Sequence, residues 1–131
     1  MNIVSDLKTF IMTTPAPSLP MTMDAFGTTM ESLMIRGDPS SGTVIEFTDG
    51  STTGTQVLSI YARSKNPATA LNALDTIRKK LDGAKITLTE VTYRDIEIVT
   101  LPAYVSKEDT GEFVYTMTVN VDFDGKNPKG V

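Results

Sequence analysis

The sequence predicts an α+β fold: a mostly antiparallel β-sheet with helices packed on one face, in a single domain of 131 residues. Two observations lead to this prediction. Residues 112–124 alternate apolar and polar side chains, which is typical of a strand with one buried face. Residues 64–83 carry apolar side chains at helical spacing, and short strand-like segments surround them.

The last strand is long for so small a protein. Its apolar side chains all share one parity: Phe113, Tyr115, Met117, Val119, Val121 and Phe123. Twelve residues at about 3.4 Å each extend roughly 40 Å. A compact domain of this size is only about 36 Å across. We therefore expect the strand to cross the whole domain or to extend beyond it.

The main helix shows its boundaries in the sequence. Asn66 is a good N-cap, Pro67 suits the first helical position, and Gly83 can end the helix. Four larger side chains form its apolar stripe, namely Leu71, Leu74, Ile77 and Leu81. We expect this stripe to cover the apolar face of the last strand.

The remaining segments complete one domain. Residues 1–12 predict an N-terminal amphipathic helix, 13–29 a proline-rich connector, 30–124 the sheet with the main helix, and 125–131 a flexible tail. The other predicted strands are 31–36, 43–48, 56–63, 85–89 and 91–101. Glycine and threonine at 49–55 indicate a loop, Pro102 is expected to end a strand, and 104–111 reads as a polar loop.

Composition excludes several kinds of chemistry. The chain has no cysteine and no histidine, which removes thiolate nucleophiles, histidine bases and the usual zinc ligands. An enzyme would have to use carboxylates, lysine or tyrosine, and with 7% aromatic residues and no tryptophan the sequence indicates no aromatic-lined cleft for paired carboxylates. We therefore predict no catalytic, cofactor-binding or metal site, and no enzyme activity. The net charge of −4 disfavours tight binding to nucleic acid or to an anionic membrane. The N-terminus resembles neither a signal peptide nor a membrane span, so no membrane partner is expected.

The polar face of the last strand leaves two interpretations open. Its Thr116, Thr118 and Asn120 suit contact with a neighbouring subunit, yet they also occur on hydrated sheets. We hypothesise that Arg36 and Arg63 pair across subunits with acids such as Glu46 or Glu112. These seven residues form the predicted subunit interface. The alternative is a surface ion pair within one chain, worth under about 1 kcal/mol.

The order of elements and several short phrases resemble a known family. The phrases are LSIYAR (58–63), LDG (81–83), LP (101–102) and EDTGEFVY (108–115). Over residues 30–123 the chain is similar to the minor capsid and tail terminator proteins of long-tailed bacteriophages.

That resemblance implies a structural function. In the family, subunits form a ring, typically hexameric, which caps the tail tube and offers a docking surface to the head connector. The implied partners are other copies of the chain, the tail tube protein and the connector or stopper protein, with phage DNA passing through the lumen without specific binding. The implied location is the neck of the virion, after assembly in the host cytoplasm. Residues 37–56 are long for a family loop, so we expect them to contact a neighbouring subunit.

Two alternatives remain at this point. One is a head-completion or stopper protein of the same neck region. The other is a small-ligand or regulatory binding module on a ferredoxin-like sheet. Oligomer mass separates the ring from a ligand-binding module, since the latter is more often a monomer or a dimer.

Overall fold

The computed structural model describes residues 3–13, 17, 19–23, 31–37, 43–49, 51–87 and 91–125. The elements, in chain order, are α1 (Ile3–Ile11), β1 (Met21–Met23), β2 (Ser32–Gly37), β3 (Thr43–Glu46), β4 (Thr52–Ser64), α2 (Pro67–Leu81), β5 (Ile86–Thr87), β6 (Val91–Lys107) and β7 (Phe113–Gly125).

One sheet contains all the described strands. Its order is β1-β2-β4-β7-β6-β5, and β3 pairs with the first residues of β4, on the same side of β4 as β2. Only the β1–β2 pair is parallel. Both helices contribute buried side chains to one hydrophobic core, so they cover the same face of the sheet. The predicted α+β class, with a mostly antiparallel sheet and helices on one face, is confirmed.

Helix α2 begins and ends as the sequence predicts. The Asn66 side chain accepts a hydrogen bond from the amide of Ala68 at 3.0 Å, which satisfies one of the free amides of the first turn. Gly83 follows the helix with φ of +73°, a left-handed conformation that glycine adopts without steric cost. The helix therefore runs over the middle strands with both of its ends stabilised.

The core joins α2 to the central strands. Leu74, Ile77 and Leu81 are fully buried, as are Met117, Val119 and Val121 of β7. Leu71, however, is 36% exposed, so its predicted place in the buried stripe is wrong. The small side chains of Ala70 and Ala73 face the sheet instead and turn Leu71 to the rim.

Helix α1 covers the β1 and β2 side of the sheet. Ile3, Leu7 and Ile11 are its buried residues, spaced by four as one face of a helix requires. Asp6 of α1 accepts a hydrogen bond from the hydroxyl of Tyr93. Tyr93 is fully buried. Burial raises the pKa of Tyr93 above its ordinary value, and the bond to Asp6 raises it further.

Two strands extend further than the sequence predicts. Strand β4 begins at Thr52, so the prediction of a loop across 49–55 is wrong for its second half. Thr52 pairs with Gly125 of β7 on one side and with Glu46 of β3 on the other. Pairing on both sides outweighs the weak strand propensity of Gly54 and its threonine neighbours.

Strand β6 continues to Lys107. We expected it to end at Pro102. The register between β6 and β7 shifts between Thr100 and Ala103, so Pro102 lies in an irregular stretch that needs no ladder hydrogen bond from it. The predicted polar loop at 104–111 is therefore shorter, and its first residues belong to the strand.

The connector predicted at 13–29 contains β1, which pairs with β2 in parallel through Met21 and Leu33. Three residues are too few for a clear alternating pattern. Residues 14–16, 18 and 24–29 of the predicted connector and 126–131 of the predicted tail lie outside the described residues.

Candidate assembly interface

The sheet has a second face, called the outer face below, that points away from both helices. It carries the residues that alternate with the core positions of each strand. Five of the seven predicted interface residues lie on it: Arg36, Arg63, Thr116, Thr118 and Asn120. Within the part of the chain that the structure describes, no helix covers this face.

Arg36 and Tyr61 form one contact of the outer face. The Arg36 guanidinium lies over the Tyr61 ring, 5.2 Å from its centroid, and a guanidinium nitrogen donates a hydrogen bond to the Tyr61 hydroxyl at 3.1 Å. A cation above an aromatic ring at an exposed site contributes roughly 0.5–1 kcal/mol. Arg36 is therefore held in place by its own chain, with its charge still exposed.

Arg63 occupies the middle of a row across three strands. It pairs in register with Ser32 of β2 on one side and with Val114 of β7 on the other. Its guanidinium donates a hydrogen bond to the Ser32 hydroxyl at 3.4 Å. Ser32 and Val114 are both buried, although neither described helix covers this face, because the long Arg63 side chain lies beside them.

Glu112 lies two residues before Val114, just ahead of β7, and is only 1% exposed. One carboxylate oxygen accepts a hydrogen bond from the Thr110 hydroxyl, and the other has no hydrogen-bond partner among the described residues. The bond from Thr110, and then the charges of Lys65 and Arg63, hold the pKa of Glu112 below its ordinary value. The charge of Arg63 thus favours the ionised form of Glu112 within one chain.

Thr116, Thr118 and Asn120 follow one another along the outer face of β7. The hydroxyl of Thr116 donates to the carbonyl of Ile60 at 3.3 Å, and the amide of Thr118 donates to the Thr100 hydroxyl at 3.0 Å. All three side chains are half-buried between β4 and β6. They form a shallow polar row.

The outer face is acidic further along β6 and β7. Asp95 pairs directly with Asp122, and Glu97 pairs with Asn120 in the next row. Like charges opposite one another are destabilising. Among the described residues near these acids, Arg94 offers a compensating charge, and it forms an ion pair with Asp124 at 3.0 Å.

Glu46, the seventh predicted residue, lies apart from the others. It is exposed at the end of β3, and the hairpin from β3 to β4 closes through a hydrogen bond from the Phe47 amide to the Ser51 carbonyl at 2.8 Å. Three large apolar side chains near Glu46 are exposed: Val44 at 63%, Ile45 at 59% and Phe47 at 51%. We call these three residues the β3 patch.

A second exposed apolar surface lies on β6. Its members are Val99 at 53%, Leu101 at 69%, Tyr104 at 58% and Val105 at 47%. We call these four residues the β6 patch. Tyr104 is oriented by an edge-to-face contact with Tyr115, with ring centroids 5.8 Å apart.

The sequence predicted a subunit contact for residues 37–56, which contain the β3 patch, but it did not predict the β6 patch. It ended a strand at Pro102, which placed Tyr104 and Val105 in a polar loop. The signal available was the presence of apolar residues on both parities of β6, as at Leu101 and Tyr104, which is unusual for a strand with one hydrated face.

The described residues contain no cluster of three or more acidic side chains arranged to hold a metal ion. Neither described helix is long and apolar enough to cross a membrane.

Comparison with protein families gives a match over residues 21–124 to the family described as bacteriophage tail terminator protein. The chain belongs to this family. The matched range covers α2 and all the described strands except the last residue of β7. The resemblance found in the sequence is confirmed, and it makes this tail terminator a structural protein of a phage tail.

A solved structure shares the fold. Over 95% of this chain and 87% of the matched chain, a component of the virion of a native gene transfer agent particle aligns with a TM-score of 0.57 and 12% sequence identity. At this low identity the likeness establishes the architecture of the tail terminator and nothing finer. No curated protein matches the chain.

Proposed function

We propose that this chain terminates the tail tube of a long-tailed phage and joins it to the head. Copies of it form a ring, six in number, that caps the finished tube and offers its other side to the head connector. The observation that carries this proposal, beside the family, is a sheet with exposed apolar strands at both margins. A chain that worked alone would leave both margins open to aggregation.

A structural role agrees with the polar groups of the outer face. One carboxylate oxygen of the buried Glu112 accepts a hydrogen bond from Thr110, and the charges of Lys65 and Arg63 stabilise its ionised form. We therefore assign Glu112 a structural role. Without histidine or cysteine, the chain lacks the commonest general base and the most reactive side-chain nucleophile. We therefore assign it no catalytic step and no cofactor.

The charge of the chain agrees with a passage for DNA. Six chains of net charge −4 repel phosphate, and the acidic rows at Asp95, Glu97 and Asp122 add to this locally. A protein that binds DNA tightly needs lysine and arginine at the phosphates. DNA thus passes through the ring in the virion neck without being held.

The predicted interface residues enter as a further part of the proposal. Arg36 and Arg63 are held by Tyr61 and Ser32 within the chain, so each presents its charge in a fixed position to an acid of a neighbour. Fixing these side chains before contact lowers the entropy cost of association. The Thr116, Thr118 and Asn120 row adjoins them and supplies hydrogen-bonding groups.

Charge reversal tests this part directly. We expect Arg63→Glu to abolish rings while the chain stays folded by circular dichroism. Lys85→Glu is the matched control, because Lys85 is exposed beyond α2. Survival of unchanged rings in the Arg63 variant would show that the arginine acts only within its own chain, in particular on Glu112.

Tube growth tests the function itself. Purified tail tube protein of the same phage is allowed to polymerise with and without the chain, and tube lengths are measured in negative stain. We expect added chain to stop elongation and to appear at one tube end. Binding to the portal complex in place of the tube would identify a stopper protein, and a monomer that ignores both would leave a ligand-binding module.

A further inference from the structure

Two apolar surfaces of this chain are unlike each other and lie far apart. The β3 patch and the β6 patch together expose seven large apolar side chains, each at 47% or more. In both patches, consecutive residues such as Val44 and Ile45 are exposed, so the strand is uncovered on its two faces. Isolated exposed apolar residues are ordinary, but contiguous groups of this kind mark interaction sites.

Both strands also present backbone groups without a strand partner. Strand β3 pairs only with β4 among the described strands, so its other edge is open there. Strand β5 pairs with β6 only at Thr92 and Tyr93, and the Gly83 amide donates to the Ile96 carbonyl at 3.0 Å, which leaves the outer edge of β6 from Glu97 to Lys107 unpaired in the described part of the sheet. An open edge can accept a strand from another chain through main-chain hydrogen bonds.

The two edges occupy opposite margins of one sheet. Strand β3 lies on the β2 side of β4, whereas β6 lies beyond β7 on the other side. The two edges also lie at different positions along β4. Val44 of β3 pairs with Gly54 of β4. Ala103 of β6 pairs with Thr116 of β7, which in turn pairs with Tyr61 of β4. Seven residues along a strand correspond to roughly 20 Å. One copy can therefore engage two neighbours at once.

We propose that the β3 patch of one copy docks on the β6 patch of the next, with β3 adding to the open edge of β6. This inference rests on the proposed ring and names the surfaces that build it. Contact between two different patches is heterologous and gives a closed ring when the rotation from copy to copy closes, whereas one self-complementary patch would end at a dimer. A sheet extended from copy to copy follows from this arrangement.

Charge supports the pairing of unlike patches. The β3 hairpin carries exposed Glu46 and no lysine or arginine from residue 43 to 57. Lys107 lies at the end of β6 beyond the β6 patch, over the ring of Phe113 at 5.2 Å. Two β3 hairpins brought together would place like charges side by side, which disfavours the self-pairing of this patch.

The apolar patches supply part of the area that such a contact needs. An interface of standard size buries about 800 Å² on each partner. In one contact each partner contributes a single patch of three or four apolar side chains about half exposed, roughly half of that area, and the main chain and polar residues of the β3 and β6 edges supply the rest. Each copy makes this contact twice, once through each patch.

Site-specific cross-linking tests the proposal, because the chain has no cysteine of its own. Ile45→Cys and Leu101→Cys are prepared as single variants and as a double variant, with Ala68→Cys on the exposed side of α2 as control. Each is treated with a short bis-maleimide reagent, free and in the presence of tail tubes. Both introduced thiols replace exposed side chains, so the fold is retained.

We expect neither single variant to cross-link with itself above the control. A mixture of the two should give a product of twice the 14.2 kDa chain mass, and the double variant a ladder that ends at the ring number. Self-linking of Ile45→Cys would show a two-fold contact and overturn the proposal. Absence of the mixed product with tubes present, where the ring must exist, would also overturn it.

A second pair of variants gives an independent readout by mass. Ile45→Asp leaves the β6 patch intact, and Leu101→Asp leaves the β3 patch intact. Alone, each should lose the ring and sediment as a single chain; mixed, they should shift to twice that mass, because one good contact remains. Mixed variants that stay single contradict the pairing. If the parent chain forms rings through this contact but the rings do not stop tube growth, the proposed tail function is refuted and the proposed contact is retained.

Discussion

The Nζ atom of Lys80, in the last turn of α2, lies 3.2 Å from the carbonyl oxygen of Ile11, the last residue of α1. The same amine donates to the carbonyl and to the hydroxyl of Thr13. The free carbonyls at the end of α1 are thus satisfied by a cation from the other helix, which is favourable at the negative end of a helix dipole. Lys80 links the two helices across the top of the core.

Replacement of Lys80 by methionine tests this link. Methionine keeps the apolar stem and removes the charge and the donors, so we expect a loss of about 1 kcal/mol in the free energy of unfolding. Lys79→Met is the matched control: Lys79 is mostly exposed and pairs with Asp75 on its own helix at 3.1 Å, worth under about 0.5 kcal/mol. Urea denaturation measures both variants, and equal losses would contradict the role of Lys80.

The helix stripe gives a second comparison, between two leucines three positions apart. Leu74 is fully buried and Leu71 is 36% exposed. We expect Leu74→Ala to destabilise the fold by about 2–5 kcal/mol, because it leaves a cavity under the helix. Leu71→Ala should cost roughly 1 kcal/mol or less. A larger loss at Leu71 than at Leu74 in thermal melts would mean that the helix is rotated from the position described.

Because of Tyr93, we expect the free energy of unfolding to fall with rising pH in the alkaline range. Its pKa is raised in the folded chain, so above about pH 10 the unfolded tyrosine loses its proton while the folded one retains it. Ionisation then favours unfolding, and the stability that Tyr93 contributes at neutral pH is lost as pH rises. We expect urea midpoints of the parent to fall more steeply between pH 9 and 11 than those of Tyr93→Phe. Parallel curves would contradict this account.

Because of Glu112, we expect the free energy of unfolding to fall with decreasing pH in the acidic range. Its pKa is lowered in the folded chain, so its contribution is present above the ordinary value of about 4.5 and is lost as pH falls through the folded value. We expect Glu112→Gln to be less stable than the parent at pH 7 and to approach it below pH 4. The control is Glu108→Gln in the adjacent exposed turn. A gap that is constant between pH 7 and 3 would exclude the carboxylate as its cause.

Local patterns predicted the elements whose signals lie within a few residues. Helix α2 has its cap at Asn66, its proline and its glycine stop, and the alternation from Met117 to Phe123 defines the buried face of β7. These features depend on the backbone and on one buried surface, and the sequence carries both directly.

Features that depend on pairing were harder to predict. Thr52–Thr55 look like a loop by composition and become a strand because β3 and β7 pair with them on both sides. Pro102 looks like a terminator and is accommodated by a change of register. Each outcome is decided by a strand distant in sequence, whose position no local pattern gives.

The predicted interface shows the same division. Alternation along β7 placed Thr116, Thr118 and Asn120 on one face correctly, and Arg36 and Arg63 join them there. The burial of Glu112 and the exposure of Leu101 were not predicted, because both depend on which neighbours the fold brings or withholds. The exposed fraction of a side chain is therefore set by the folded sheet as a whole.

Imaging of tube ends by electron cryomicroscopy, with the chain bound to tubes of its own phage, addresses the account most directly. We expect a single closed layer at one end only, built from six subunits whose sheets adjoin margin to margin, and no density along the tube walls. Tubes with bare ends, or subunits scattered along the sides as separate molecules, would contradict it.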